Sequence, residues 1–308
     1  MTATRERPGA VVPGPPPGSA PALVRAAARV SLTAEILLVG TGGLVRLTDS
    51  GLGCPTWPRC GTQLTTTPEL GIHGVIEFGN RLLTVALVLI ALAAVVVAVR
   101  TWRQRRDLTL LAVLQLLSIP AQAVLGGITV LTHLNPWVVG AHFVFSMVLV
   151  VLMTAFVVRA RSAPGLRRLV VPPWFAAATA LMAVLVAVTV GLGVVTTGSG
   201  PHAGAQSADH GRNGLDPVVL QELHSYPAYA LVLVSIVLLV AALRLGLTRR
   251  VVIALVAVEV AQIVIGIVQA RNGLPPYLVG IHELLSACLV AAASAVTFTL
   301  RRPVVISR

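Results

Sequence analysis

Residues 122–142 read QAVLGGITVLTHLNPWVVGAH, and residues 262–282 read QIVIGIVQARNGLPPYLVGIH. The two stretches align without a gap. Gln122 falls on Gln262, Gly126 on Gly266, Leu134 on Leu274, Pro136 on Pro276, Val139-Gly140 on Val279-Gly280, and His142 on His282. Trp137 faces Tyr277, an aromatic exchange suited to a membrane–water interface. Self-similarity at long spacing marks a duplicated structural unit. The duplication extends outward more weakly. GGLVRLTDSG (42–51) resembles GLGVVTTGSG (191–200), and VIEFGN (75–80) aligns with VLQELH (219–224). This sets Asn80 opposite His224 and Glu77 opposite Gln221.

The duplicated unit belongs in lipid. Of 308 residues, 56% are hydrophobic and only 11% charged, against about 25% charged in a soluble domain. Apolar runs fall at roughly 27–46, 73–99, 108–131, 137–158, 173–196, 217–243, 251–270 and 277–299, each near the ~20 residues a helical span requires. Strands are not expected, because open sheet edges cannot be satisfied in hydrocarbon. Four spans per copy is an even number, so the copies share one orientation about an axis along the membrane normal. The expected fold is an all-α membrane protein whose eight transmembrane helices form two pseudo-symmetric four-helix bundles. The expected division is a Pro/Gly-rich disordered cytoplasmic tail (1–24), an N-terminal half (25–160) and a C-terminal half (161–308). The tail lacks the apolar region of a signal peptide.

A net charge of +12 might suggest nucleic acid, but the basic residues lie in short clusters between apolar runs, not on a soluble face. No nucleic-acid partner is expected; the partner is the bilayer. Every basic side chain is Arg. Most cluster in the tail and in the loops on one side; only Arg46, Arg59, Arg81, Arg212 and Arg271 fall on the other. The positive-inside rule therefore places both termini in the cytoplasm, with outer loops at about 47–72, 132–136, 197–216 and 271–276. Cys54 and Cys60 share the first outer loop, where an oxidising compartment favours a disulfide. Cys288 lies in an apolar span and is expected to pack.

His142 and His282 lie at matching depth, and His224 lies at similar depth on a different helix. Two imidazoles on separate helices at one level can ligate one haem iron; the bland reading is a structural hydrogen bond between helices. Ionisable groups inside a membrane default to function, which favours ligation by His224 and His282. In the first half Asn80, a poor iron ligand, stands where His224 stands in the second, so an iron on His142 would keep a position open. Glu77, one turn before Asn80, could relay protons or interact with an intermediate, and it could also pair with Arg81. Glu35 and Glu259 fall mid-span and read as interhelical hydrogen bonders. His73 is a weaker alternative ligand. His133, His202 and His210 are expected to be solvated in outer loops. Arg46, Arg81 and Arg271 are candidates to meet haem propionates.

GGLVRLTDSGLGCPTWPRC (42–60), HGVIEFGNRLLT (73–84) and the paired VVGAHF and LVGIHE elements together resemble the haem A synthase family, over about residues 30–299. The resemblance implies an eight-helix bacterial cell-membrane enzyme that oxidises the C8 methyl of haem O to a formyl group, giving haem A for cytochrome oxidase. Two successive hydroxylations would give a geminal diol that loses water. It implies a haem b held by His224 and His282, a substrate-haem site carried by His142 with Asn80, a catalytic Glu77, and the Cys54–Cys60 pair, with the haem sites near the outer face. The partners implied are haem O with its upstream haem O synthase and an electron donor, and a homo-oligomer is compatible. Many members carry His in place of Asn80 and a second cysteine pair in the third outer loop; 197–216 has no cysteine. Two other classes are a dihaem b-type electron-transfer protein, which would favour two histidines in both halves, and a haem carrier, which would need neither Glu77 nor the disulfide.

Overall fold

The computed structural model describes residues 18–54, 56–60, 71–101, 103–203 and 212–303. Among the described residues eight helices run α1 (Ala22–Leu47), α2 (Gly71–Val99), α3 (Arg106–Leu131), α4 (Pro136–Ala160), α5 (Pro173–Ser199), α6 (Pro217–Leu245), α7 (Arg249–Arg271) and α8 (Pro276–Thr299). The protein is an all-helical membrane protein. Seven helices, α2–α8, are long and apolar enough to cross a bilayer. α1 is as long as α3, but Arg25, Arg29, Glu35 and Arg46 interrupt its apolar character. Half-exposed or more exposed leucines such as Leu89, Leu117 and Leu233 face outward, which lipid tolerates and water does not.

The helix ends follow from local chemistry. α4, α5, α6 and α8 open with Pro in the first turn, where the missing N–H costs nothing. The Asp216 carboxylate accepts from the Val218 and Val219 N–H groups, and Asn135 caps Trp137. The repeat seen in sequence is repeated in backbone. Leu134 and Leu274 both take positive φ, 59° and 60°. Their N–H groups donate to Thr129 O and Gln269 O, each at 2.8 Å, so both helices close with the same left-handed turn.

α1 packs on α2 and α4, and α3 on α2 and α4; α5 packs on α6 and α8, and α7 on α6 and α8. Contacts of α1 with α8, and of α4 with α8 and α5, run between these groups. The largest apolar cluster crosses that seam, joining Met147 and Val150 of α4 to Phe175, Met182, Leu238, Leu255 and Val290.

Two expectations change. Strands do occur, as β1 (Arg167–Leu169) pairing antiparallel with β2 (Arg301–Pro303). They follow α4 and α8, outside the apolar spans, where the argument from hydrocarbon does not apply. The tail is also shorter than 1–24 within the described residues. α1 begins at Ala22, and buried Ala20 donates its N–H to Ala160 O; residues 1–17 lie outside the described residues.

Candidate functional site

His142 and His282 each stand six residues in from the first residue of α4 and α8, about 9 Å along the axis. Each ring leans on a glycine of the preceding helix. A Cβ built at Gly126 would come 3.3 Å from His142 Cε1, and one at Gly266 would come 3.1 Å from His282 Cε1. Each backbone carbonyl is held by the same residue type: Gln122 Nε2 donates to His142 O and Gln262 Nε2 to His282 O. The duplication therefore preserves the whole seat, not the histidine alone.

His224 meets His282 across the second half. The ring centroids lie 6.4 Å apart at 76°. His224 Nδ1 lies 2.9 Å from Thr189 O. A carbonyl only accepts, so Nδ1 carries the proton and Nε2 keeps its lone pair. Gly193 admits the ring, since a Cβ there would stand 3.0 Å from His224 Cε1. Imidazole–metal bonds of about 2 Å suit this separation. Among the described residues no three or more His, Cys, Asp or Glu converge as a metal site. Two facing imidazoles alone suit a metal whose remaining ligands come with it, as in a porphyrin.

The first half is sealed at the matching corner. A disulfide joins Cys54 and Cys60, and their loop lies against α2 and α3. Glu77 is buried and both its oxygens are engaged, accepting from the Cys54 N–H at 2.7 Å and from Arg81. Arg81 also donates to the Thr56, Pro58 and Arg59 carbonyls. The Trp57 indole covers Gly127 of α3. Arg81 thus joins Glu77 to the loop, the i,i+4 pair expected from sequence. Asn80 is half-buried, and its Oδ1 is buried without a hydrogen-bond partner. His73 Nδ1 lies 3.0 Å from Ser50 Oγ, tying the start of α2 to the loop after α1.

Arg46 is likewise committed, pairing with Glu283 at 2.8 Å and donating to His202 O. His202 is not a solvated loop residue, because its Nε2 lies 2.9 Å from Leu274 O. His133 is exposed as expected, Arg271 is exposed, and His210 lies outside the described residues. Glu35 accepts from Gln115 and Glu259 from Ser235, the interhelical bonds expected of them. Cys288 is a free, partly buried thiol. Sequence reasoning passed over Glu283, although an ionisable residue directly after His282 in an apolar span was a visible signal. It also passed over Gly193, which only the repeat could have flagged.

Between α4 and α5 a cleft of about 470 Å³ opens, lined by Trp137, Gly140, Val144, Phe145, Gly191 and Val194 among others.

Comparison with known proteins places the chain in a family. Residues 26–294 match the COX15-CtaA family, described as cytochrome oxidase assembly protein. The chain is similar to proteins named "Heme A synthase" from Geobacillus kaustophilus, 33% identical over 109 residues (35% of this chain, 34% of the relative), and Lysinibacillus sphaericus, 36% identical over 127 residues (39% of each). Another from Exiguobacterium sibiricum is 31% identical over 121 residues (39% of this chain, 40% of the relative). The chain thus spans between a third and two fifths of the length of the curated relatives it matches.

Proposed function

The chain belongs to the cytochrome oxidase assembly protein family, and we propose that it is a haem A synthase, oxidising the C8 methyl of haem O to a formyl group. The observation that carries the reading is the pair of facing imidazoles, His224 and His282, at 6.4 Å in one half, against His142 facing no second histidine among the described residues in the other. In this reading eight helices cross the bilayer as two four-helix bundles, α1–α4 and α5–α8, with both termini cytoplasmic and the sites near the outer face of a bacterial cell membrane. The arginine distribution and the helix neighbours support that arrangement.

His224 and His282 hold a haem b. A haem held by two imidazoles supplies reversible one-electron transfer. Thr189 O fixes the His224 proton on Nδ1 and so presents Nε2 to the metal. In the first half, His142 holds or orients the substrate haem O, and the shorter Asn80 leaves the opposite side open. The disulfide-closed loop, with Trp57 over Gly127, limits water at the outer end. Glu77 places a fixed carboxylate beside that site and accepts a proton or stabilises positive charge there. Haem O synthase upstream supplies the substrate, and a separate electron donor serves the second half. A homo-oligomer is compatible with this arrangement.

The test is expression in a host that makes haem O but no haem A, followed by pigment extraction. Haem A in the extract is the expected result. A folded, haem-loaded protein with no haem A overturns the synthase reading.

A further inference from the structure

Arg46 of α1 and Glu283 of α8 form an ion pair at 2.8 Å, and their side chains are only 11% and 14% exposed. The pairs Glu77–Arg81 and Arg105–Asp107 stay within the first half; this one joins the two halves. Its seat is built for it. A Cβ at Gly43 would come 2.6 Å from Glu283 Oε2, so the glycine admits the carboxylate. Arg46 also donates to His202 O, and His202 Nε2 lies 2.9 Å from Leu274 O, which ties the guanidinium to the turn before α8.

The repeat offers the same seam a second time, between α5 and α4. There Arg46 falls on Val195 and Glu283 on Phe143. Val195 lines the cleft between α4 and α5, and Phe143 packs on the large apolar cluster. Joining the halves therefore does not itself require charge. The charged version stands on the residue that follows His282, next to the paired imidazoles, whereas an uncharged phenylalanine follows His142.

Building on the haem reading above, we propose that Arg46 and Glu283 together set the reduction potential of the haem held by His224 and His282. Haem potentials respond to nearby charge and to the local dielectric. Oxidation leaves the iron one unit more positive, so a carboxylate favours the oxidised form and a guanidinium the reduced form. In a poorly screened interior each charge acts strongly when alone. Paired, their fields largely cancel.

The test is a redox titration of the full-length protein purified with its haem, followed by absorption, with electron paramagnetic resonance and Tm read alongside. Glu283→Gln is expected to raise the midpoint potential and Arg46→Gln to lower it. The variant carrying both changes is expected to return close to the wild-type value, and Arg46→Lys, which keeps the charge, to stay near it. A pair that only fastens helices would lower Tm in both single variants without opposed shifts in potential. Either single variant that keeps its haem is sufficient for the test. No shift, shifts in one direction, a double variant displaced as far as a single one, or loss of haem from both single variants overturns this inference and leaves the haem reading standing. A wild-type protein with no bis-imidazole signal overturns the haem reading and this inference with it.

Discussion

At the α1–α2 corner Glu77 is buried under a disulfide-closed loop, gripped by Arg81 and the Cys54 N–H. At the α5–α6 corner Gln221 takes its place and is exposed, and one turn on the ring of His224 faces His282. The seats of His142 and His282 meanwhile remain alike down to the glutamine on each carbonyl. Divergence has concentrated at one corner of each copy and spared the other. The seats held by interhelical packing have been kept, and the differences lie in which polar groups stand at the α1–α2 and α5–α6 corners.

The sharpest way to break the comparison is to empty each half separately. His282→Ala is expected to abolish the bis-imidazole spectrum and reduce haem A formation to background. His142→Ala is expected to abolish product while leaving that spectrum intact; a spectrum lost in both would mean one shared site. Next in size is Glu77→Gln, with a loss of roughly 10²-fold in product formation and no change in the spectrum of the second half. Gln221→Glu, its counterpart, is expected to leave product formation unchanged. Removing the disulfide with Cys54→Ser and Cys60→Ser should cost about 2 kcal/mol, read as a lower Tm with the second-half spectrum retained. The smallest effects are expected from Gly266→Ala, about 1 kcal/mol of overpacking, and from Gly126→Ala, milder still because its added Cβ has more room. Equal shifts in the two would show that the seats differ in rigidity.

Much of this could be read in the chain. Apolar periods gave the helices, because a span must satisfy its own backbone. Spacing gave the Glu77–Arg81 pair at i,i+4, and compartment chemistry gave Cys54–Cys60. What stayed hidden was set by contacts distant in sequence. Arg46 looked like a loose interfacial cation until Glu283 arrived from α8 and the His202 carbonyl from the segment between α5 and α6. The contact of His73 with Ser50 Oγ was equally invisible in the chain. Gly193 carries no signal alone, since a glycine in an apolar helix is ordinary in a membrane. The three-residue strands are rich in arginine, and in sequence they read as topology signals.

Those strands have one more consequence. β1 follows the last helix of the first copy and β2 the last helix of the second, and they pair antiparallel, Arg168 on Arg302. The pairing does not depend on the connection that follows β1. A chain cut between β1 and α5 would still leave each fragment its strand of the ribbon.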